Sequence, residues 1–138
     1  PRSTLFPYTT LFRSLKLFPG ITPQAINAIL HTEGLKAMIL ETFGAGNAPT
    51  AEWFLELLAG AVEKGIIVFN VTQCKGGSVE MGKYETSVGL SKIGIIGGYD
   101  ITTESAVTKL MYLLGCGFSV ESIKQLLQTS LRGEITES

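Results

Sequence analysis

Cysteine is nearly absent from this sequence: Cys74 and Cys116 are the whole supply in 138 residues. Two thiols at irregular spacing exclude a disulfide framework and a zinc site. Their expected state is the reduced thiol of a cytosolic protein, with the burial tendency of free cysteine. Charge is sparse too, at 17% of residues, with a net value of −1 and no basic run. A nucleic-acid partner needs a basic footprint, so none is expected. No apolar stretch reaches the roughly 18 residues that span a membrane, which excludes a membrane helix. Hydrophobic residues, at 45%, are enough for a core. A domain this small is only marginally stable alone, so apolar residues in surplus point to a face meant for another domain or subunit.

The first fourteen residues, PRSTLFPYTTLFRS, have neither helix nor strand period and no acid. They lack the ordered parts of a signal peptide, and a transit peptide is the plain alternative. Residues 4–14, TLFPYTTLFRS, resemble the translation of a sequencing adapter. Residues 1–14 are therefore expected to be a non-native N-terminal segment, loosely attached, with residues 15–138 forming the domain proper. Without Arg2 and Arg13, nine basic residues stand against twelve acids, and the remainder carries −3.

From Leu15 onward the pattern alternates. Leu15–Phe18 reads as a short strand ending at the Pro19-Gly20 turn. Thr22 followed by Pro23 is a helix cap with proline at the first helical position, starting a helix to His31. Residues 36–42 read as a second, buried strand. Thr50 would cap a helix from Ala51 to Lys64, with Trp53, Phe54, Leu57, Leu58, Ala61 and Val62 on one face. Residues 66–71 form a third strand, 84–92 a short helix and 95–96 a short strand. Thr102 or Thr103 caps a helix to Leu114 with Gly115 as its stop, Ser119 caps the last helix to Gln128, and residues 132–138 read as a polar tail.

Strands alternating with helices of this length predict an α/β fold: a small parallel sheet with helices on both faces. Ligands in such folds sit beyond the carboxyl ends of the strands, which singles out the loops at 19–22, 43–49 and 72–78. Gly44-Ala45-Gly46 could cradle a phosphate, but it lacks the third glycine of a dinucleotide fingerprint and the Lys-Ser/Thr of a P-loop. A strand-to-helix turn is the simpler reading. His31, the lone histidine, is expected to bond helix-terminal carbonyls, and Asp100 and Glu104 to be first-turn acids favoured by the helix dipole. No metal and no other cofactor is implied.

Four stretches together say more. Phe18-Pro19-Gly20-Ile21, Thr42-Phe43-Gly44-Ala45-Gly46-Asn47-Ala48-Pro49, Asn70-Val71-Thr72-Gln73-Cys74 and the run from Ile95 to Glu104, followed by Ala106 and Thr108-Lys109-Leu110, resemble in order and spacing the C-terminal half of type I (cytoplasmic) L-asparaginases. The resemblance runs from Leu15 to Ile135. It implies a Rossmann-like C-terminal domain of a two-domain amidohydrolase that converts L-asparagine to L-aspartate and ammonia. The nucleophilic threonine and its proton-handling partners would belong to an N-terminal domain absent from this chain, so the chain alone is expected to be inactive, with no catalytic residue of its own.

By the same resemblance this domain supplies a wall of the active site across a subunit interface in a homo-oligomer, dimer or tetramer, of the cytoplasm. Asn47 and Tyr84 occupy the matching substrate-binding positions. The structural alternatives are a turn residue tolerating left-handed backbone for Asn47 and a packing aromatic for Tyr84. Some members also carry a regulatory asparagine site, with an arginine after the second strand and a cysteine after the third. The matching positions here are Glu41 and Cys74, with Thr72 beside them. A carboxylate effector wants a guanidinium fork, and Glu41 would repel it. Two other classes stay open: a free-standing α/β module that binds a small amino acid or dimerises without chemistry, and a nucleotide-binding domain.

Overall fold

A computed structural model describes residues 11–83 and 85–136. Four parallel strands, β1 (Phe12–Lys16), β2 (Ala37–Thr42), β3 (Ile67–Thr72) and β4 (Ile96–Gly97), lie side by side in chain order. The helices are α1 (Pro23–Leu30), α2 (Glu52–Glu63), α3 (Glu85–Lys92), α4 (Thr103–Gly115) and α5 (Val120–Leu127). Consecutive parallel strands joined by right-handed crossovers place every connecting helix on one face of the sheet. The other face is then left for the chain beyond β4 to cover.

The two cores follow that logic through the period-two alternation of the strands. Met38, Leu40 and Val68 pack with Ile26 of α1, Phe54 and Leu58 of α2 and Leu90 of α3. Ile39, Ile67, Phe69 and Val71 pack with Ala106, Leu110 and Leu113 of α4 and Ile123 and Leu127 of α5. β2 and β3 are covered on both faces, which is why they read as apolar runs.

Local capping places most helix starts where the sequence put them. Thr22, Thr102 and Ser119 each accept a hydrogen bond from the backbone N–H three residues on, at 3.2–3.3 Å. Thr50 does not cap α2; Ala51 holds that position without a side-chain bond. Gly115 ends α4 from inside it, and the left-handed turn falls at Gly117, φ +74°.

Two segments differ from expectation more substantially. β1 begins at Phe12, three residues before Leu15, and pairs with β2 from Phe12↔Ala37 to Lys16↔Glu41. Ladder hydrogen bonds come from backbone and accept any non-proline side chain. The segment after α5 is not simply a polar tail. Ile135 is buried in the second core, and Glu134 receives the buried Lys109 ammonium at 3.1 Å. Lys109 also donates to the carbonyls of Leu127 (3.3 Å) and Thr129 (2.6 Å). Asp100 accepts from the backbone N–H of Thr136 at 2.8 Å and from its hydroxyl. That hydroxyl, then the N–H, holds the Asp100 carboxyl below its usual range. Glu104 does sit in the first turn of α4.

Candidate functional site

The carboxyl edge of the sheet is where the candidate loops meet. Residues 43–47 form a tight loop closed by two bonds, Phe43 N–H to Asn47 O (2.8 Å) and Asn47 N–H to Phe43 O (2.7 Å). Its left-handed positions are glycines, Gly44 at φ +49° and Gly46 at φ +103°. Asn47 is not left-handed, so the glycines, not Asn47, supply that backbone freedom. It is half-buried at the end of the loop. Tyr84 lies outside the described residues.

β3 supplies the floor of this edge. Asn70 and Thr72 share the face carrying Val68. Asn70 Oδ1 accepts from the Thr42 hydroxyl at 2.5 Å, and its Nδ2 contacts Gly46 O and Met81 Sδ, each at 3.4 Å. The Thr72 hydroxyl donates to Gly44 O at 2.5 Å and accepts from Cys74 N–H at 3.0 Å. Gln73 ties the edge together: its Nε2 donates to Leu17 O and Glu41 O, both at 2.8 Å. The 78–81 segment closes over the top through Glu80 N–H to Ala45 O (2.9 Å) and Val79 N–H to Tyr99 O (2.7 Å).

Glu41, Thr72 and Cys74 are not gathered around one space. Glu41 faces the α4 side, where its carboxylate accepts from Ser14 and Thr103 hydroxyls, each at 3.0 Å. Thr72 points to the opposite face, toward Gly44. Cys74 is exposed beyond the strand end, and Cys116 is exposed as well, against the burial tendency of free cysteine. His31 caps α1 as expected, its Nδ1 lying 2.8 Å from Asn27 O. Phe54 is fully buried, and Trp53 meets it edge-on at 5.9 Å.

Tyr99 was not visible as special in the sequence. It has φ +56°, the one non-glycine left-handed residue among the described residues, and its side chain is 46% exposed. Such backbone costs about 1–3 kcal/mol and tends to cluster at functional sites. The only sequence signal was its place after Gly97-Gly98, where a Cβ would meet Met81, Phe69 or Ile101 at 2.6–2.9 Å. Tyr99 lines a cleft of about 300 Å³ with Ser78, Val79, Glu80, Met81, Gly97 and Gln128.

A larger cavity, about 650 Å³, lies elsewhere, between α4 and the 131–134 turn. Size alone would favour it, yet Lys109 and Glu134 in its wall are committed to each other and to backbone partners. The carboxyl edge is the better candidate because its loops converge there as the fold type requires. It offers amides, hydroxyls and carbonyls. Its Thr42 and Thr72 hydroxyls donate to an amide oxygen and a backbone carbonyl, and among the described residues neither donates to a carboxylate or a histidine. Among the described residues, no three His, Cys, Asp or Glu side chains could hold a metal ion.

Comparison with known proteins identifies the family. Residues 13–127 match the family described as "Glutaminase/Asparaginase C-terminal domain". L-asparaginase 1 of Escherichia coli (strain K12) is 42% identical over 120 residues, 87% of this chain and 35% of that protein. The 60 kDa lysophospholipase of Homo sapiens is 41% identical over 123 residues, 88% of this chain and 21% of that protein. The crystal structure of L-asparaginase I from Vibrio cholerae superimposes with a TM-score of 0.86 at 44% identity, covering 93% of this chain and 38% of the other. The chain thus spans about a third or less of the length of the curated relatives it matches. With this match across most of its residues, the chain belongs to the glutaminase/asparaginase C-terminal domain family.

Proposed function

We propose that this chain is the C-terminal domain of an L-asparaginase that hydrolyses L-asparagine to L-aspartate and ammonia in the cytoplasm as a homo-oligomer. Its part is to wall the substrate site and to form subunit contacts, while the nucleophile sits on a preceding domain. One observation carries the reading: the pinned 43–47 loop presents Asn47 at the carboxyl edge, in a domain with 42% identity to an enzyme named L-asparaginase 1. A preorganised amide beside the reacting centre binds a polar substrate without paying for loop ordering. Asn47 and Tyr84 are the substrate contacts in this reading. Exposed Phe18, Tyr112, Phe118 and Leu131 support the expected subunit or domain contacts.

Residues 1–14 are read as non-native, although their last three complete β1, with Phe12 packed on the second core and Ser14 bonded to Glu41. Glu41, which accepts the Thr103 hydroxyl, offers a carboxylate effector only repulsion, so no cooperative activation by asparagine is expected.

Ammonia release tests both halves of the proposal. The 138-residue chain should show no turnover of asparagine. A chimera in which it replaces the matching C-terminal third of Escherichia coli L-asparaginase 1 should hydrolyse asparagine with a hyperbolic rate curve. Turnover by the chain alone, or a folded chimera with none, would overturn the functional reading. A sigmoidal curve that Cys74→Val flattens would overturn the effector argument.

A further inference from the structure

We propose that Asn70 is a positioning residue: its buried amide sets the backbone of the 43–47 loop, and through it the Asn47 side chain. The consequence for substrate rests on the reading of Asn47 as part of the asparagine site; the consequence for the loop does not.

The starting point is an expensive residue. All six residues of β3 are buried, and four of them, Ile67, Val68, Phe69 and Val71, are apolar. Asn70 is 0% exposed in the middle of that strand. A buried amide stabilises little over an apolar side chain of similar shape, and costs free energy wherever a bond is missed. Its bonds here go to three different segments: Thr42 at the end of β2, Gly46 in the loop and Met81 in the covering segment.

The orientation of the amide is determined by chemistry. Gly46 O can only accept, so the amide end that faces it is Nδ2. That leaves Oδ1 to accept the one Thr42 hydroxyl proton, at 2.5 Å against 3.4 Å to Val71 O. Gly46 is shaped for the approach: a Cβ there would meet Val79 Cγ1 at 2.9 Å and Asn70 Nδ2 at 3.3 Å.

The result is a loop whose successive carbonyls are all held. Gly44 O accepts from the Thr72 hydroxyl, Ala45 O from Glu80 N–H, Gly46 O from Asn70 and Asn47 O from Phe43 N–H. Asn70 acts on the carbonyl immediately before Asn47, and also touches the 78–81 segment at Met81. A loop held this way keeps Asn47 in one place before substrate arrives.

The test replaces both buried partners by apolar near-isosteres, Thr42→Val with Asn70→Leu, in the 138-residue chain. Amide hydrogen exchange at Gly46, Asn47 and Glu80 is compared with exchange at Leu40 and Phe69 in the ladder. Positioning predicts loop exchange faster by about tenfold or more, with ladder protection little changed, the scale of one lost polar contact. Equal change in loop and ladder, or no change in either, overturns the proposal. Asn70→Ser, too short to reach Gly46 yet able to bond Thr42, gives the same reading should the double variant fail to fold.

In the chimera, the same substitutions should raise KM for asparagine about tenfold with kcat within about threefold. Unchanged KM with a loosened loop would remove Asn47 from the site and leave Asn70 holding the loop. A parent chimera without activity would sink the asparaginase reading alone, and exchange would still decide the role of Asn70.

Discussion

The two faces of β3 use the same strand for different ends. Toward α4 and α5 it presents Ile67, Phe69 and Val71, an unbroken apolar surface. Toward the other side it presents Val68, Asn70 and Thr72, apolar only in its first half. Alternation along a strand separates these tasks by one residue. The first face binds the domain together, and its polar closure, the Lys109–Glu134 pair, lies at the rim, where the chain returns after α5. The second face gives up apolar contact near the carboxyl edge to hold a loop. Both faces pack a core, but the holding of the 43–47 loop falls to the positions of Asn70 and Thr72 alone.

The largest expected effect comes from the apolar face. Phe69→Ala should destabilise the domain by about 3–5 kcal/mol through transfer and cavity terms. Urea unfolding of the chain would measure it; a loss under 1 kcal/mol would mean this face does not carry the stability assigned to it.

Slightly smaller is the rim. Lys109→Met leaves the Glu134 carboxylate nearly buried, 12% exposed, and removing one partner of such a pair costs about 3 kcal/mol. The same clamp has a pH signature. Burial pushes the Glu134 carboxyl up, but the N–H groups of Leu131, Arg132 and Glu134 itself, with Lys109, outweigh it and bring it from 4.5 to about 2. A carboxyl depressed in the folded state binds its proton more readily when unfolded. Its stabilisation is therefore complete above pH 4.5 and fades as pH falls toward about 2. Stability measured from pH 6 down to pH 2 should decline in the parent and more shallowly in Glu134→Gln. Parallel profiles would assign the acid sensitivity elsewhere.

The smallest structural change carries the functional side of the comparison. Asn47→Ala in the chimera should weaken asparagine turnover by about 1–3 kcal/mol, the scale of one lost polar contact, while the unfolding midpoint moves little. Unchanged kinetics with unchanged stability would reduce Asn47 to a loop residue, and the division between the faces would lose its functional half.

The sequence by itself determined what is local. A hydroxyl before a helix bonds the N–H three residues on, so Thr22 and Ser119 could be placed from spacing, and the α4 cap narrowed to Thr102 or Thr103. Apolar runs identified β2 and β3, and alternation with helices gave the parallel sheet. His31 needed only its own helix. The motif resemblance brought Asn47 forward as a candidate, because glycines and an asparagine after a strand are contiguous in the chain.

Only the tertiary structure decided what depends on residues far apart. Lys109 and Glu134 are 25 residues apart, and Ile135 is buried only because α4 and α5 bring the chain back to the sheet. Asn70 stood in a quoted motif without a role, since its partners Thr42, Gly46 and Met81 converge only when strands pair in register. Glu41 and Thr72 looked like neighbours of one site, yet strand alternation sends their side chains to opposite faces. The left-handed Tyr99 is held by bonds its own residues cannot foretell, Val79 N–H to Tyr99 O and Gly98 N–H to Asn70 O. Propensity and capping are settled within a turn of chain; burial, pairing and strain are settled by which distant segments meet.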